Sequence, residues 1–237
     1  VPPASTATLP AAWTHIGVDV GEFPCPEHQC KVKFLLVMDL ATKLKKVIHL
    51  FTYPFEEARN ESGEQVVEAL ATGWLADKPR PQHCIFDSAH SFQSSVVSDF
   101  LQGLDICPGY TPEKEPWAHG VVERAMAEIK ETAQVLIKES PNFKPELALQ
   151  LSCGAINGIE NVKGYTPIQW AYGTTPQIPL AEQAQDALGP TDAEDPQAQF
   201  TKLVDGRLQA ERIARTVKSR RALSKLANTT VRQPIRT

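Results

Sequence analysis

Three acidic residues stand where a folded chain has least structural use for them. Asp19 interrupts the apolar run IGVDVG, Asp87 ends the run CIFD, and Glu123 follows GVV at the start of a helical stretch. An aspartate inside a strand is disfavoured, and burying one without a partner costs free energy. Carboxylates that converge repel one another, so a cluster of them calls for a cation between them. Hard oxygen ligands without flanking His or Cys suit Mg²⁺ or Mn²⁺ rather than zinc. Two such ions activate a nucleophile and steady the leaving oxygen in phosphoryl transfer. Two of the acids also have a plainer reading. Asp87 can cap a helix beginning near Ser91, and Glu123 can answer the positive end of its own helix. Asp19 has little structural excuse at mid-strand. Chemistry alone leaves both readings open.

The elements that must hold these residues follow from periodicity. WTHIGVDVG (13–21) alternates well enough for a strand, and EFPCPEHQC (22–30), with two prolines, reads as a loop. KVKFLLVMDLA (31–41) is nearly continuous in apolar residues, as in a strand buried on both faces. KKVIHLFTY (45–53) follows after a short connection, so the three strands form an antiparallel meander. Residues 62–77 place Val66, Leu70 and Trp74 at helical spacing behind Ser62 as N-cap. RPQHCIFD (80–87) is a fourth strand, SFQSSVVSDFLQGL (91–104) a helix, DICPGY (105–110) a fifth strand and TPEKEPWAHG (111–120) a loop. A helix over 121–140 carries the stripe Val122, Met126, Ile129, Ala133 and Leu136. A further helix spans 145–162, and a short one follows at 166–173, with Thr166 as cap, Pro167 at its first position and Gly173 past its end. Three antiparallel strands, then helix, strand, helix, strand and helices, describe an α/β layer pattern with a mixed sheet.

The chain of 237 residues is long enough for a sizeable core, and its 42% apolar content is that of an ordinary soluble protein. Its longest apolar run, FLLVM, is strand-sized and far short of the ~18 residues of a membrane span, so no membrane partner is expected. The opening VPPAS has neither Met nor a signal pattern and reads as part of something longer. Five scattered cysteines fit a reducing compartment better than a disulfide framework. The net charge of −4 hides an asymmetry: residues 200–237 carry ten Lys/Arg against Asp205 and Glu211, a net +8, and the remainder carries −12. A basic tail on an acidic body suggests a polyanion for the tail, although a solvated helix face reads equally well.

Spacing joins the pieces. Thirty-five residues separate Asp87 from Glu123. Here the chain resembles the catalytic core of retroviral and retrotransposon integrases, whose mark is Asp, Asp, thirty-five residues, Glu. HIGVDVGEFP resembles that family's first strand, KFLLVMDLATK its second strand and turn, and IFDSAHSFQSSVVSDFLQGLDI its second-aspartate strand and following helix. TPEKEPWAHGVVERAMAEIK resembles the Pro-rich loop leading to Glu-Arg and a later Lys, and INGIENVKGYTPIQWAYGTTPQIP the segment that closes the core in retrotransposon members. The resemblance covers roughly residues 13–179, and order and spacing together make it specific.

The resemblance implies a ribonuclease H-like fold with a five-stranded mixed sheet flanked by helices. It implies an integrase core over 13–179 after an extended segment (1–12), followed by a linker (180–199) and a basic helical tail (200–237). Asp19 would bridge two Mg²⁺ (or Mn²⁺) ions, with Asp87 and Glu123 each completing one. The reactions would be metal-dependent trimming of a DNA 3′ end and strand transfer into target DNA. Expected partners are element ends, target DNA and further copies of the chain. The expected location is the nucleus or a cytoplasmic element particle, not secretion. Lys130 falls where the family places a DNA-contacting lysine. Arg124 points about 100° away from Glu123, as a structural or phosphate-facing arginine. His119 stands where relatives carry Asn or Gln, and a solvent-facing loop histidine fits it as well. Asp39 competes with Asp19, but the family also carries an acid there outside its catalytic set, so Asp19 is preferred. Ala89 departs from the family's Gly after the second aspartate. The His-His-Cys-Cys zinc module is not among these residues, and Cys25, His28 and Cys30 have the wrong spacing to replace it. The alternative is a degenerate or domesticated integrase fold that binds DNA or a partner without chemistry. A nuclease of the same fold that cuts without joining is a third reading.

Overall fold

The computed structural model describes residues 10–86, 92, 94–110, 116–173 and 196–230, with backbone alone at 110, 116–119, 196–200 and 228–230. Its centre is a sheet of β1 (His15–Cys25), β2 (Cys30–Asp39), β3 (Lys45–Pro54), β4 (His83–Phe86) and β5 (Cys107–Tyr110), in the order β3-β2-β1-β4-β5. β1–β2 and β2–β3 are antiparallel, whereas β4 and β5 add parallel to β1. The expected five-stranded mixed sheet is therefore present.

The first expected strand is longer than its sequence pattern suggested. Residues 22–25, read as loop, continue β1, and pairing with β2 runs unbroken from Ile16–Asp39 to Cys25–Cys30. A 3-10 turn at Pro26–His28 closes the hairpin. Pro24 does not break the strand because the parallel pairing to β4 covers only His15–Val18. Beyond Val18 a missing N–H on that side interrupts no described ladder.

Helices cover both faces. On one side lie α1 (Gly63–Glu68), which widens into a π-helical segment over Ala69–Leu75, and α2 (Ser95–Gly103). Ser62 caps α1 in a reciprocal capping box with Gln65, as its position predicted, a motif that contributes about 1 kcal/mol. On the other side lie α3 (Pro116–Glu139), α4 (Pro145–Ile159) and α6 (Pro196–Thr230), with the short α5 (Pro167–Tyr172) following α4. Thr166 and Gln169 form the second capping box, and Gly173 takes the left-handed conformation at φ 70°.

Two helix boundaries differ from expectation. α3 begins at Pro116, so residues 116–120 are helix rather than loop. Proline is favoured at a first helical position, because its missing N–H has no intrahelical partner there. α6 begins at Pro196, four residues inside the expected linker. Nor does it hang off the body: Ala210, Ile213, Ala214 and Val217 are buried in the same cluster as Ile129, Ala133 and Leu136 of α3 and Ala148, Leu149 and Cys153 of α4. The rest of the expected linker lies outside the described residues.

Candidate active site

Alternation along β1 decides where Asp19 points. Ile16, Val18 and Val20 belong to the cluster on the α1 and α2 side, so Gly17, Asp19 and Gly21 face α3. The two glycines let that helix lie close. A Cβ on Gly17 would stand 2.6 Å from Cγ2 of Val122, and one on Gly21 would stand 2.9 Å from Sδ of Met126 and 2.5 Å from Cζ of Phe34. No side chain fits at such distances. Asp19, half-buried, is thus the one position of this stretch where a side chain emerges from under α3.

The sheet topology adds a second constraint. Pairing of β1 to β4 ends at Val18–Phe86, so Asp19 is the first residue of β1 beyond its parallel neighbour among the described residues. Open α/β sheets bind ligands at the carboxyl ends of their parallel strands, and this is such a place. Asp87 follows Phe86 directly in sequence but lies outside the described residues, as does Ala89. The cap of α2 belongs to Ser94, whose hydroxyl accepts from the Val97 N–H at 3.5 Å.

Glu123 also changes status. With α3 beginning at Pro116, Glu123 is not in the first turn, where alone a helix end attracts a carboxylate strongly. It sits between the two residues that clamp the glycines, about 100° round from Val122 and about 60° from Met126. It is exposed on one flank of the buried stripe. Lys130 lies within about 20° of the same flank. Its ammonium stands 5.8 Å from the centroid of Phe34. Burial pushes it below the ordinary 10.5, while Asp19 and then Glu22 pull it back up. Asp19 and Lys130 therefore share one local field. Arg124 is exposed and lies about 160° from Met126, turned away from the sheet and not brought to Asp19. His119 is helical in backbone, and its side chain lies outside the described residues.

Asp39 is occupied elsewhere. It is fully buried. Its Oδ1 accepts from the Trp13 N–H at 3.1 Å, and its Oδ2 from the Thr42 N–H at 2.8 Å and the Thr42 hydroxyl at 2.6 Å. One oxygen ties down the segment that leads into β1 and the other holds the β2–β3 turn. At the far end of β1, Cys25 contacts Nδ1 of His28 at 3.3 Å, and burial pushes its thiol up to about 11. Among the described residues, no three His, Cys, Asp or Glu side chains form a metal cluster. Asp19 and Glu123 offer carboxylate oxygens only, a donor set that fits a hard divalent ion once a third acid joins it. The sequence singled out both acids and Lys130 but not Gly17, Gly21 and Phe34, which set how α3 and β2 lie against β1. The signal was present as Gly-Val-Asp-Val-Gly, glycines on the aspartate's own face of a strand.

No protein-family model matches the chain. Solved structures do share its fold. One is the simian T-cell lymphotropic virus intasome in complex with PP2A regulatory subunit B56 gamma, with a TM-score of 0.57 at 16% identity over 81% of this chain and 65% of that one. This chain thus spans just under two thirds of that longer protein. The HTLV-2 integrase catalytic core domain in complex with magnesium matches with a TM-score of 0.54 at 16% identity, over 68% of this chain and 96% of that one. The BIV integrase catalytic core matches with a TM-score of 0.50 at 18% identity, over 65% and 91%. The protein has the ribonuclease H-like architecture of retroviral integrase catalytic cores.

Proposed function

We propose that the protein is a metal-dependent polynucleotidyl transferase, the catalytic core of a retrotransposon integrase that trims DNA 3′ ends and joins them to target DNA. The observation that carries this reading is the placement of Asp19: between two glycines, under the helix that bears Glu123 and Lys130, at the carboxyl end of the parallel strands. Fold likeness alone would not carry it, since one fold hosts many functions.

In this reading Asp19, Asp87 and Glu123 are the ligands of two Mg²⁺ or Mn²⁺ ions. When bound, the ions activate water or a 3′-hydroxyl and neutralise charge on the leaving oxygen of an in-line displacement at phosphorus. Asp19 brings a carboxylate held by a paired strand, so its position is set before DNA arrives. Asp87, next after Phe86, is the second ligand. Glu123 comes from a helix that the glycines seat against that strand. Lys130 neutralises a phosphate oxygen beside the reacting one, and its partial burial strengthens that contact. Arg124 and His119 meet the DNA backbone farther out. The substrates are element ends and target DNA, which places the work in the nucleus or a cytoplasmic element particle. The HTLV-2 core is described in dimeric and trimeric forms, and a homo-oligomer is proposed here too.

The test is strand transfer. Purified protein is mixed with a duplex carrying the element's terminal sequence, Mg²⁺ or Mn²⁺ and a supercoiled plasmid, beside a Glu123→Gln control. Joined products that disappear in the control support the reading. Nicking without joining would reassign the protein as a nuclease. Metal and DNA binding without any chemistry would make it a domesticated fold.

A further inference from the structure

The tail helix has a direction that its composition does not reveal. Gln209 and Arg212 of α6 bind the Glu139 carboxylate, at 3.2 Å and 2.7 Å, at the C-terminal end of α3. Nine residues beyond Arg212, Arg221 donates from Nε to Glu131 at 2.8 Å, just over two turns back along α3 in the other direction. α6 therefore runs antiparallel to α3, and its C-terminal end heads toward the part of α3 that carries Glu123. From Glu131 to Glu123 is roughly 12 Å of helix, and α6 continues for nine residues past Arg221, roughly 13 Å.

Charge is distributed along α6 in two sets. Arg207 is bound to Glu211 at 3.0 Å and to the Gly154 carbonyl at 2.6 Å, and Arg212 and Arg221 are bound to acids of α3. These three fasten the helix to the body. Arg215 and Lys218 have no ion-pair partner among the described residues. They lie at i and i+3, so they share one flank of the helix, and Lys225 returns to that flank two turns later. The helix carries eight basic residues against Asp205 and Glu211, on a chain that is otherwise acidic.

We infer that α6 is a rail for the DNA backbone, with Arg215 and Lys218 binding phosphates of the duplex whose end is held at Asp19 and Glu123. The inference rests on the reading that this site acts on DNA. It assigns the tail to the same binding surface as the active site, since the helix is packed into the core and ordered along α3. The rest of the chain carries a net −12, so a docked basic helix also sets the direction in which the duplex leaves the site.

The test uses the full chain and a fluorescent duplex with plasmid competitor, with affinity measured at several salt concentrations. The variants are Arg215→Gln/Lys218→Gln and, as a charge-matched control on exposed residues elsewhere, Lys144→Gln/Lys163→Gln. Each phosphate contact contributes about 0.9 to the slope of log affinity against log salt, so losing two flattens it by about two units and weakens binding on the order of tenfold near 0.1 M salt. The control keeps the wild-type slope. Equal slopes in wild type and the α6 variant overturn the inference and leave the proposed function standing. Loss of self-association with unchanged DNA affinity also overturns it and makes α6 a protein interface. A wild-type chain that binds no duplex at any salt concentration overturns both.

Discussion

Asp19 and Asp39 are both aspartates in adjacent strands of one sheet, and their surroundings differ in kind. Asp39 is wholly buried and its oxygens accept from Trp13 and Thr42, the latter only three residues away. Asp19 is half-buried, the glycines on either side of it on the same face lie against Val122 and Met126 of α3, and its charge acts on Lys130 of the same helix. A carboxylate whose oxygens are taken by backbone and hydroxyl donors needs no ion. A carboxylate that serves a site is surrounded by groups whose only common purpose is to bring a second element close. Burial alone would have singled out Asp39, whose oxygens are already taken by Trp13 and Thr42.

Substitutions can break this contrast. The largest effect is expected on activity. Asp19→Asn or Glu123→Gln should lower strand transfer by about 10³-fold, the equivalent of roughly 4 kcal/mol of lost transition-state stabilisation. The melting temperature should stay unchanged or rise, because a site stripped of charge repulsion folds at least as well. A large fall in melting temperature for Asp19→Asn would mean that the two aspartates do the same structural work.

Asp39→Ala should do the opposite. It strands two buried N–H groups and a hydroxyl, at a cost of about 3 kcal/mol or roughly 10 °C in melting temperature by calorimetry. Activity per folded molecule should be kept. Gly21→Ala should couple the two properties. The new methyl meets Phe34 and Met126 and costs about 2 kcal/mol of overpacking. By pushing α3 off β1 it should also lower activity, and a stable but fully active Gly21→Ala protein would show that close seating of the helix is irrelevant to the site.

The smallest effect sharpens the comparison most. Burial holds Lys130 below 10.5, and Asp19 opposes it. Asp19→Asn removes that opposition, so Lys130 should titrate lower still, while Asp39→Asn should leave it in place. Carbon-detected NMR of the Lys130 side chain reads both. The sign carries to stability. Between the lowered folded value and 10.5, the unfolded chain holds the extra proton, so stability linked to Lys130 is full above 10.5 and is lost as pH falls through the folded value. Asp19→Asn should widen that window toward lower pH.

Local chemistry made much of the fold legible in the sequence. Ser62 marks one helix start, and Thr166 with Pro167 and Gly173 bracket a second helix, because caps act within four residues of themselves. The stripe from Val122 to Leu136 fixed the buried face of α3, since helical period reports which side meets a core. Three acids at the ends and centre of apolar runs marked the candidate site for the same reason: a charge in an apolar pattern is a local contradiction. What stayed hidden was set by distant partners. Two prolines suggested a loop where β2 pairing carries β1 on to Cys25. Proline and aromatic residues suggested a loop where α3 already begins. Charge composition suggested a basic helical tail where two ion pairs, a hydrogen bond from Arg207 to the Gly154 carbonyl and a row of buried apolar residues dock α6 on α3 and α4. The sequence by itself determined the order of elements, their caps and which acids were out of place, because each depends on neighbours along the chain. Only the tertiary structure decided which aspartate is taken up by Trp13 and Thr42 and which lies half-buried on the α3 side of β1, how close α3 lies to β1, and which way the basic helix runs. Those depend on contacts between residues from a few dozen to more than a hundred positions apart, which no local pattern encodes.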